Sequence, residues 1–281
     1  MSGFRLGVRD GRAVLIDNGR SIDVANRSAG RFGEDVMALY RVWDIFAPWA
    51  GEQQANDDDP SVEDVDLGLC VPRPRNVFAI GVNYRDHIAE AQMETPQRPM
   101  VFAKFPACLA GGNAPIPLTS NRVDWEAELV AVVGRGGRNI AVENWRSVIA
   151  GVTVGQDISD RRCQFGDKPP QFSMGKSAEA FGPIGPAVVS LGALPDPLDL
   201  AISCSINGEV MQSSRTSQMI FDLGALVAFI SQWVPLEPGD LIFTGTPGGT
   251  GGLRDPRRYL APGDVLSTQI EHIGSIRNEC R

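Results

Sequence analysis

Apolar and polar positions alternate most regularly over Val123-Asp124-Trp125-Glu126-Ala127-Glu128-Leu129, which continues as Val130-Ala131-Val132-Val133. As a strand, the period of two sends Asp124, Glu126 and Glu128 to one face and Trp125, Ala127 and Leu129 to the other. The apolar continuation is the pattern of a strand buried on both faces, so these carboxylates are expected at the mouth of a core. Further short β-branched runs lie between glycines and prolines: Val77 to Val82, Met100 to Phe105, Gly151 to Val154, Ala187 to Val189, Ala201 to Ile206, Leu241 to Thr244 and Val265 to Ile270. They predict a β-rich domain of the α+β class with few long helices.

The spacing of Ile220, Leu223, Val227 and Ile230 predicts a core-packing helix over Ser217 to Trp233, capped by Thr216 or Ser217. Val36, Met37, Leu39, Tyr40, Trp43 and Phe46 predict a second amphipathic helix over residues 34 to 46. Residues 4 to 16 alternate weakly about Gly11-Arg12 and read as a hairpin. The polar, acidic stretch Glu52 to Ser61 reads as a linker. These patterns divide the chain into a small N-terminal domain, residues 1–70, and a larger domain, residues 71–281.

Composition narrows the function more than the fold. The chain of 281 residues is 43% hydrophobic, 21% charged and carries a net charge of −8. That balance argues against a nucleic-acid partner, which calls for a basic stripe, but not against a small anionic substrate held by a few local cations. No stretch approaches the roughly 18 apolar residues of a membrane span, and the start carries no leader pattern. The five cysteines are scattered and never in C-x-x-C spacing, so a reduced, cytoplasmic chain without structural zinc is expected.

Six stretches are candidates for chemistry. Like charges at i and i+2 in the acidic stripe repel unless a cation lies among them, and oxygen ligands suit Mg²⁺ or Ca²⁺; the alternative is a charged strand face in water. His87, one of two histidines, lies three residues before Glu90 just after a strand, where a helical turn would make them a general-base pair or an ordinary surface pair. Lys104 interrupts an apolar run, and Asp157 ends another, with Arg161 and Gln164 following it. The glycine loop Thr244 to Gly252 lacks G-x-G-x-x-G and Gly-Lys-Ser/Thr, and Gly175-Lys176-Ser177 has Pro170 where a P-loop needs glycine. Neither supports nucleotide binding; the loop's amides suit a carboxylate, or simply a tight turn.

Taken in order, Gly81-Val82-Asn83-Tyr84-x-x-His87-x-x-Glu90, Pro99 to Lys104, Asp124-x-Glu126-x-Glu128-Leu129, Gly151 to Gln164, Gly175-Lys176 with Phe181-Gly182-Pro183, Asn207-Gly208-Glu209, and Pro238-Gly239-Asp240 to Gly251 resemble the fumarylacetoacetate hydrolase family. The resemblance covers roughly residues 71 to 281. It implies a mixed β-roll or sandwich catalytic domain, a homodimer, and Mg²⁺ (or Mn²⁺ or Ca²⁺) held at Glu126, Glu128 and Asp157. It also implies catalytic roles for His87, oriented by Glu90, and for Lys176, with Tyr84, Lys104, Arg161, Gln164 and Thr246 binding substrate. Asp124 would then stand behind the ligands or on the substrate side.

The activity so implied is hydrolysis of a carbon–carbon bond in a 2,4-dioxo acid of the acylpyruvate or fumarylpyruvate type, giving pyruvate or a similar fragment. The alternatives are an isomerase of a 2-hydroxy-diene-dioate (2-hydroxyhepta-2,4-diene-1,7-dioate or 5-carboxymethyl-2-hydroxymuconate type) or an oxo-diacid decarboxylase, in aromatic catabolism. In each case the partner is a small oxo or enol carboxylic acid. Two departures stand out: Gln156 where the family usually has asparagine, and Ala178-Glu179-Ala180 where it usually has Phe-Asp-Thr. The first keeps an amide; the second alters the pocket wall.

Overall fold

The computed structural model describes residues 3–281. Its organising strand is Ala127–Val133, buried along its whole length. Alternation sends Leu129, Ala131 and Val133 into one apolar core and Val130 and Val132 into another. Phe78 and Ile80 divide from Val77 and Ala79 in the same way, as Ile242 does from Leu241 and Phe243. A sheet with a core on each face explains why these strands read as continuous apolar runs.

In spatial order the sheet runs Arg20–Asp23, Arg12–Asp17, Arg5–Arg9, Gly182–Ser190, Ile149–Gln156, Ala127–Val133, Leu241–Phe243, Val77–Gly81 and Met100–Ala103, with Leu109–Gly111 also pairing to Gly182–Ser190. Against one face packs a four-stranded antiparallel sheet, ordered Glu209–Arg215, Ala201–Ile206, Val265–Ile270, Gly274–Glu279. Ile202, Cys204, Ile206, Leu266, Ile270 and Ile276 line the shared core, joined by Leu226, Val227 and Ile230 of the helix Leu223–Trp233. Asn207 and Gly208 turn between two strands of this smaller sheet with φ of 52° and 86°, the left-handed pair that a tight hairpin favours. The fold is thus β-rich α+β with two stacked sheets.

Three expected elements differ. The long helix starts at Leu223, not Ser217, and its cap is Asp222, whose carboxylate accepts from the Ala225 amide at 2.9 Å. The preceding residues are held elsewhere: Met219 bridges to Tyr84, and the Ile220 and Phe221 amides donate to the Asn83 carbonyl and side chain. Tertiary pairing thus removes a turn that periodicity alone would extend. The second helix is two helices, Val36–Arg41 and Trp43–Ala50, divided at Val42, whose φ of −116° is not helical. The acidic strand is broken as well: Val123–Asp124 pairs with Ser159–Asp160, and Ala127 starts a new strand in the large sheet.

The N-terminal hairpin forms as Arg5–Arg9 and Arg12–Asp17, and Arg5–Arg9 pairs antiparallel with Gly182–Ser190. Leu6, Leu15, Val36, Leu39 and Phe46 share one core with Val77, Val130, Ile184 and Phe243. The acidic stretch is tied back by Arg27 to Asp59 at 2.7 Å and by Arg20 to the Asp59 carbonyl at 2.6 Å.

Candidate active site

Strand register assembles the acidic group. Ala127 faces Gln156 and Glu128 faces Gly155, so the next residue on each side comes together: the Asp157 amide donates to the Glu126 carbonyl at 2.9 Å. Glu126, Glu128 and Asp157, all buried, each offer a carboxylate oxygen within 4.8 Å of the others. Gln156 secures the junction, accepting from the Glu126 amide at 2.8 Å and donating to the Thr268 hydroxyl of the smaller sheet at 2.7 Å.

Three cations surround this group. Lys176 Nζ reaches Glu126 at 2.8 Å, Asp157 at 2.7 Å and the Ser159 hydroxyl at 2.7 Å. Lys104, 1% exposed, reaches Asp157 at 2.6 Å and the Lys176 and Phe181 carbonyls; the charge inside an apolar run is a buried ion pair. Arg161 joins Asp124 at 2.8 Å to Glu126 at 2.7 Å and holds Gln164 at 2.8 Å. Burial alone would raise the Glu126 pKa, but Lys176 and Arg161 outweigh it and bring the carboxyl down to about 2. Burial likewise opposes charge on Lys176, and Asp157 and Glu126 overcome it, so the ammonium is held more tightly than usual.

Glu128 is different. Among the described residues its carboxylate accepts one hydrogen bond, from the Gly245 amide at 2.8 Å. Burial first, then the charges of Asp157 and Glu126, push its pKa well above the usual carboxylate range. A buried carboxylate pressed by two others, with no ammonium or guanidinium in ion-pair contact among the described residues, fits a site completed by a divalent cation. Three carboxylate oxygens are the donors that Mg²⁺, Mn²⁺ and Ca²⁺ prefer.

His87 and Glu90 lie on the helix Arg85–Ala91, directly after the strand Val77–Gly81. Their Nδ1 and Oε2 atoms are 3.7 Å apart, and Nδ1 is buried without a hydrogen-bond partner. Glu90 accepts from the Gly249 amide at 2.9 Å. His87 foremost, with that amide, lowers the Glu90 pKa against the opposing effect of partial burial. Tyr84, at the start of this helix, is fully buried with its hydroxyl unpartnered, and burial next to Glu128 pushes its pKa far up.

The structure therefore brings His87, Glu90, Tyr84, Lys104, Arg161, Gln164 and Lys176 around the acidic group. Thr246 is present too, but its hydroxyl is engaged in the frame, donating to the Ala127 carbonyl at 2.9 Å and accepting from Gln212 at 2.8 Å. Asp124 holds Arg161 and the amides of Gly251 and Gly252 at 2.7 and 3.0 Å. Sequence reasoning missed Gln212, which spans the two sheets by accepting from the Ala127 amide at 2.9 Å, and Asp86, which accepts from Ser214 at 2.5 Å. Neither stands in a periodic pattern, so no local signal singles them out.

A buried carboxylate group that could hold a metal thus stands with an imidazole–carboxylate pair on a fold of two stacked β-sheets. The family model described as the fumarylacetoacetate hydrolase C-terminal domain matches residues 76–281. The chain is 42% identical over 211 residues to a mitochondrial oxaloacetate tautomerase of Bos taurus, covering 74% of this chain and 67% of that protein. Fumarylacetoacetate hydrolase from Exiguobacterium antarcticum superposes with a TM-score of 0.85 at 30% identity, covering 100% of this chain and 99% of its own. A 2-hydroxyhepta-2,4-diene-1,7-dioate isomerase from Mycobacterium marinum superposes with a TM-score of 0.71 at 30% identity, covering 99% and 98%. The chain belongs to the fumarylacetoacetate hydrolase family.

Proposed function

We propose that this chain is a divalent-metal-dependent enzyme that moves a proton between the keto and enol forms of a short 2-oxo diacid of the oxaloacetate type. The observation that carries the reading is the juxtaposition of two parts: His87 and Glu90 on one helix, with His87 close enough for its charge to act on Glu126, and a buried acidic group of which one member, Glu128, forms no ion pair among the described residues. The likeness to an oxaloacetate tautomerase supports the substrate class.

In this reading Glu126, Glu128 and Asp157 hold Mg²⁺ or Mn²⁺. A bound divalent ion supplies positive charge against the negative charge that develops on the 2-oxygen when the neighbouring carbon loses its proton. His87 accepts that proton at its free ring nitrogen, and Glu90 keeps the imidazole oriented and offsets its charge afterwards. The proton that the 2-oxygen gains comes back from the His87 imidazolium by way of water, so the substrate has lost one proton from carbon and gained one on oxygen and His87 returns to neutral, while Lys176 stays an ammonium held by Glu126, Asp157 and Ser159. Lys104 pairs with Asp157 and Arg161 with Glu126, and Tyr84, Gln164 and Thr246 bound the substrate space.

A second reading uses the same base on water, whose hydroxide attacks a more distant carbonyl of an acylpyruvate; the hydrolase of the same fold supports it. The experiment follows the loss of enol absorbance of oxaloacetate with added Mg²⁺ or Mn²⁺, in parallel with pyruvate release from an acylpyruvate. Acceleration over buffer that disappears with chelator and in His87→Ala supports the tautomerase. Pyruvate release without enol turnover moves the assignment to the hydrolase.

Two further proposals accompany this reading. One is a homodimer. It is supported by the outermost strand Met100–Ala103, whose Met100 and Val101 are exposed, and by exposed Phe105, Phe165 and Met174 nearby. The other is a reducing, cytoplasmic setting, supported by the five unpaired cysteines. No helix among the described residues is long and apolar enough to cross a membrane.

A further inference from the structure

The glycine loop Gly245 to Gly252 makes contacts that the proposed reaction does not yet use. Its amides are directed at the protein's own carboxylates: Gly245 donates to Glu128 at 2.8 Å, Gly248 to Asp86 at 3.3 Å, Gly249 to Glu90 at 2.9 Å, and Gly251 and Gly252 to Asp124 at 2.7 and 3.0 Å. One short segment therefore contacts a candidate metal ligand, the partner of Arg161, and two carboxylates of the helix that carries His87.

Gly249 is the most constrained member. Its φ is +101°, and a Cβ there would meet the Met211 carbonyl oxygen at 2.2 Å, so both conformation and space demand glycine. Its carbonyl accepts from the Trp125 indole at 3.2 Å and from Arg254 Nε at 3.4 Å, while a second nitrogen of Arg254 holds the Met211 carbonyl at 2.8 Å. Gln212 fixes the loop one step earlier, donating to Thr246 and to the Pro247 carbonyl at 2.8 Å each. The peptide that touches Glu90 is thus clamped on both sides. Among the described residues Glu90 has no other hydrogen-bond donor as close, and His87 Nδ1 faces it at 3.7 Å without any other partner.

We propose that Gly249 is a positioning residue for proton transfer: its clamped amide sets the Glu90 carboxylate, and through it the His87 imidazole, while contributing nothing to metal binding. A carboxylate fixed beside Nδ1 keeps the ring proton on that nitrogen and leaves Nε2 bare to act as the base. The inference rests on the proposed role of His87, and its spectroscopic readout does not depend on which substrate is turned over.

The test uses the full chain in an H272N background. His272 has a φ of 62° and is half exposed, a backbone setting that asparagine tolerates. With only two histidines in the chain, the remaining ¹⁵N imidazole signals belong to His87. The Nδ1–H tautomer is expected in this background. G249A is expected to convert it to a mixture of tautomers and to lower kcat about tenfold or more, with Mn²⁺ affinity, read by calorimetry, within about twofold because Gly249 touches no ligand. R254Q, which loosens the same peptide without adding a side chain at a crowded position, is expected to shift the signals the same way by less. If G249A does not fold, R254Q decides on the same readouts. Absence of the Nδ1–H tautomer in the background protein, its retention in the folded variants, or a loss of Mn²⁺ affinity parallel to the tautomer change overturns the proposal. If no oxo acid is turned over at all, the tautomer and Mn²⁺ readouts still decide it, and the failure falls on the proposed function alone.

Discussion

Glu128 is the residue whose surroundings are least balanced. Lys176 and Arg161 neutralise Glu126, and Lys104 and Lys176 neutralise Asp157, but Glu128 keeps only a glycine amide. Glu128→Gln keeps the shape and relieves repulsion while removing an anionic ligand. We expect Mn²⁺ affinity to fall at least about tenfold, and the melting temperature without metal to hold or rise. A variant that melts lower without metal while binding Mn²⁺ normally would contradict this account. At this scale the acidic positions were legible from spacing, with Asp157 a third oxygen ligand on condition that its strand neighbours that of Glu126 and Glu128, a placement the ordered resemblance implied. The unequal roles of Asp124, Glu126 and Glu128 were less so, because they depend on where Arg161, Lys176 and the loop glycines Gly245, Gly251 and Gly252 come to lie.

Among the elements, the short helix Arg161–Phe165 brings Arg161 and Gln164 to the site, and at five residues it cannot stand by itself. Asp160 anchors it, accepting from the Arg162 and Cys163 amides at 2.9 and 3.2 Å and from the Thr119 and Ser120 hydroxyls at 2.7 and 2.8 Å. Partial burial would raise the Asp160 pKa, but the two hydroxyls and the amides prevail and lower it. A depressed pKa contributes stability that is present above the unfolded value of about 3.9 and is lost as pH falls through the lower folded value. Asp160→Asn is therefore expected to cost about 1–2 kcal/mol near neutrality. In urea titrations the difference from wild type should shrink as pH drops below about 4; a pH-independent difference would remove charge from the explanation. Local pattern found the strands well, since burial on both faces leaves a plain apolar run. It misplaced the start of the helix Leu223–Trp233, where Asn83 captures the preceding backbone, and it ran the acidic strand through a break at Trp125-Glu126.

On the scale of the whole molecule, the N-terminal region pairs its strand Arg5–Arg9 onto Gly182–Ser190 and shares a core with the larger sheet. Residues 1–70 by themselves leave Leu6, Leu15, Leu39 and Phe46 without Val77, Val130, Ile184 and Phe243. Isolated 1–70 is expected to show a coil-like circular dichroism spectrum, and residues 71–281 to be lost to aggregation through the uncovered edge and core. Cooperative melting of both fragments would instead support two separately folding domains, as the acidic linker suggests from sequence alone.

By itself, the sequence determined the β-rich class, the apolar strands, the paired His87 and Glu90, and, with the ordered motifs, the family. These depend on period, spacing and residue type, which are local properties of the chain. Only the tertiary structure decided that Asp157 meets Glu126 and Glu128, that Lys104 lies buried against Asp157, and that one glycine loop touches Glu128, Glu90 and Asp124 together. Those contacts join residues far apart in the chain, and their energies depend on distance and on the exclusion of water, neither of which a linear pattern contains.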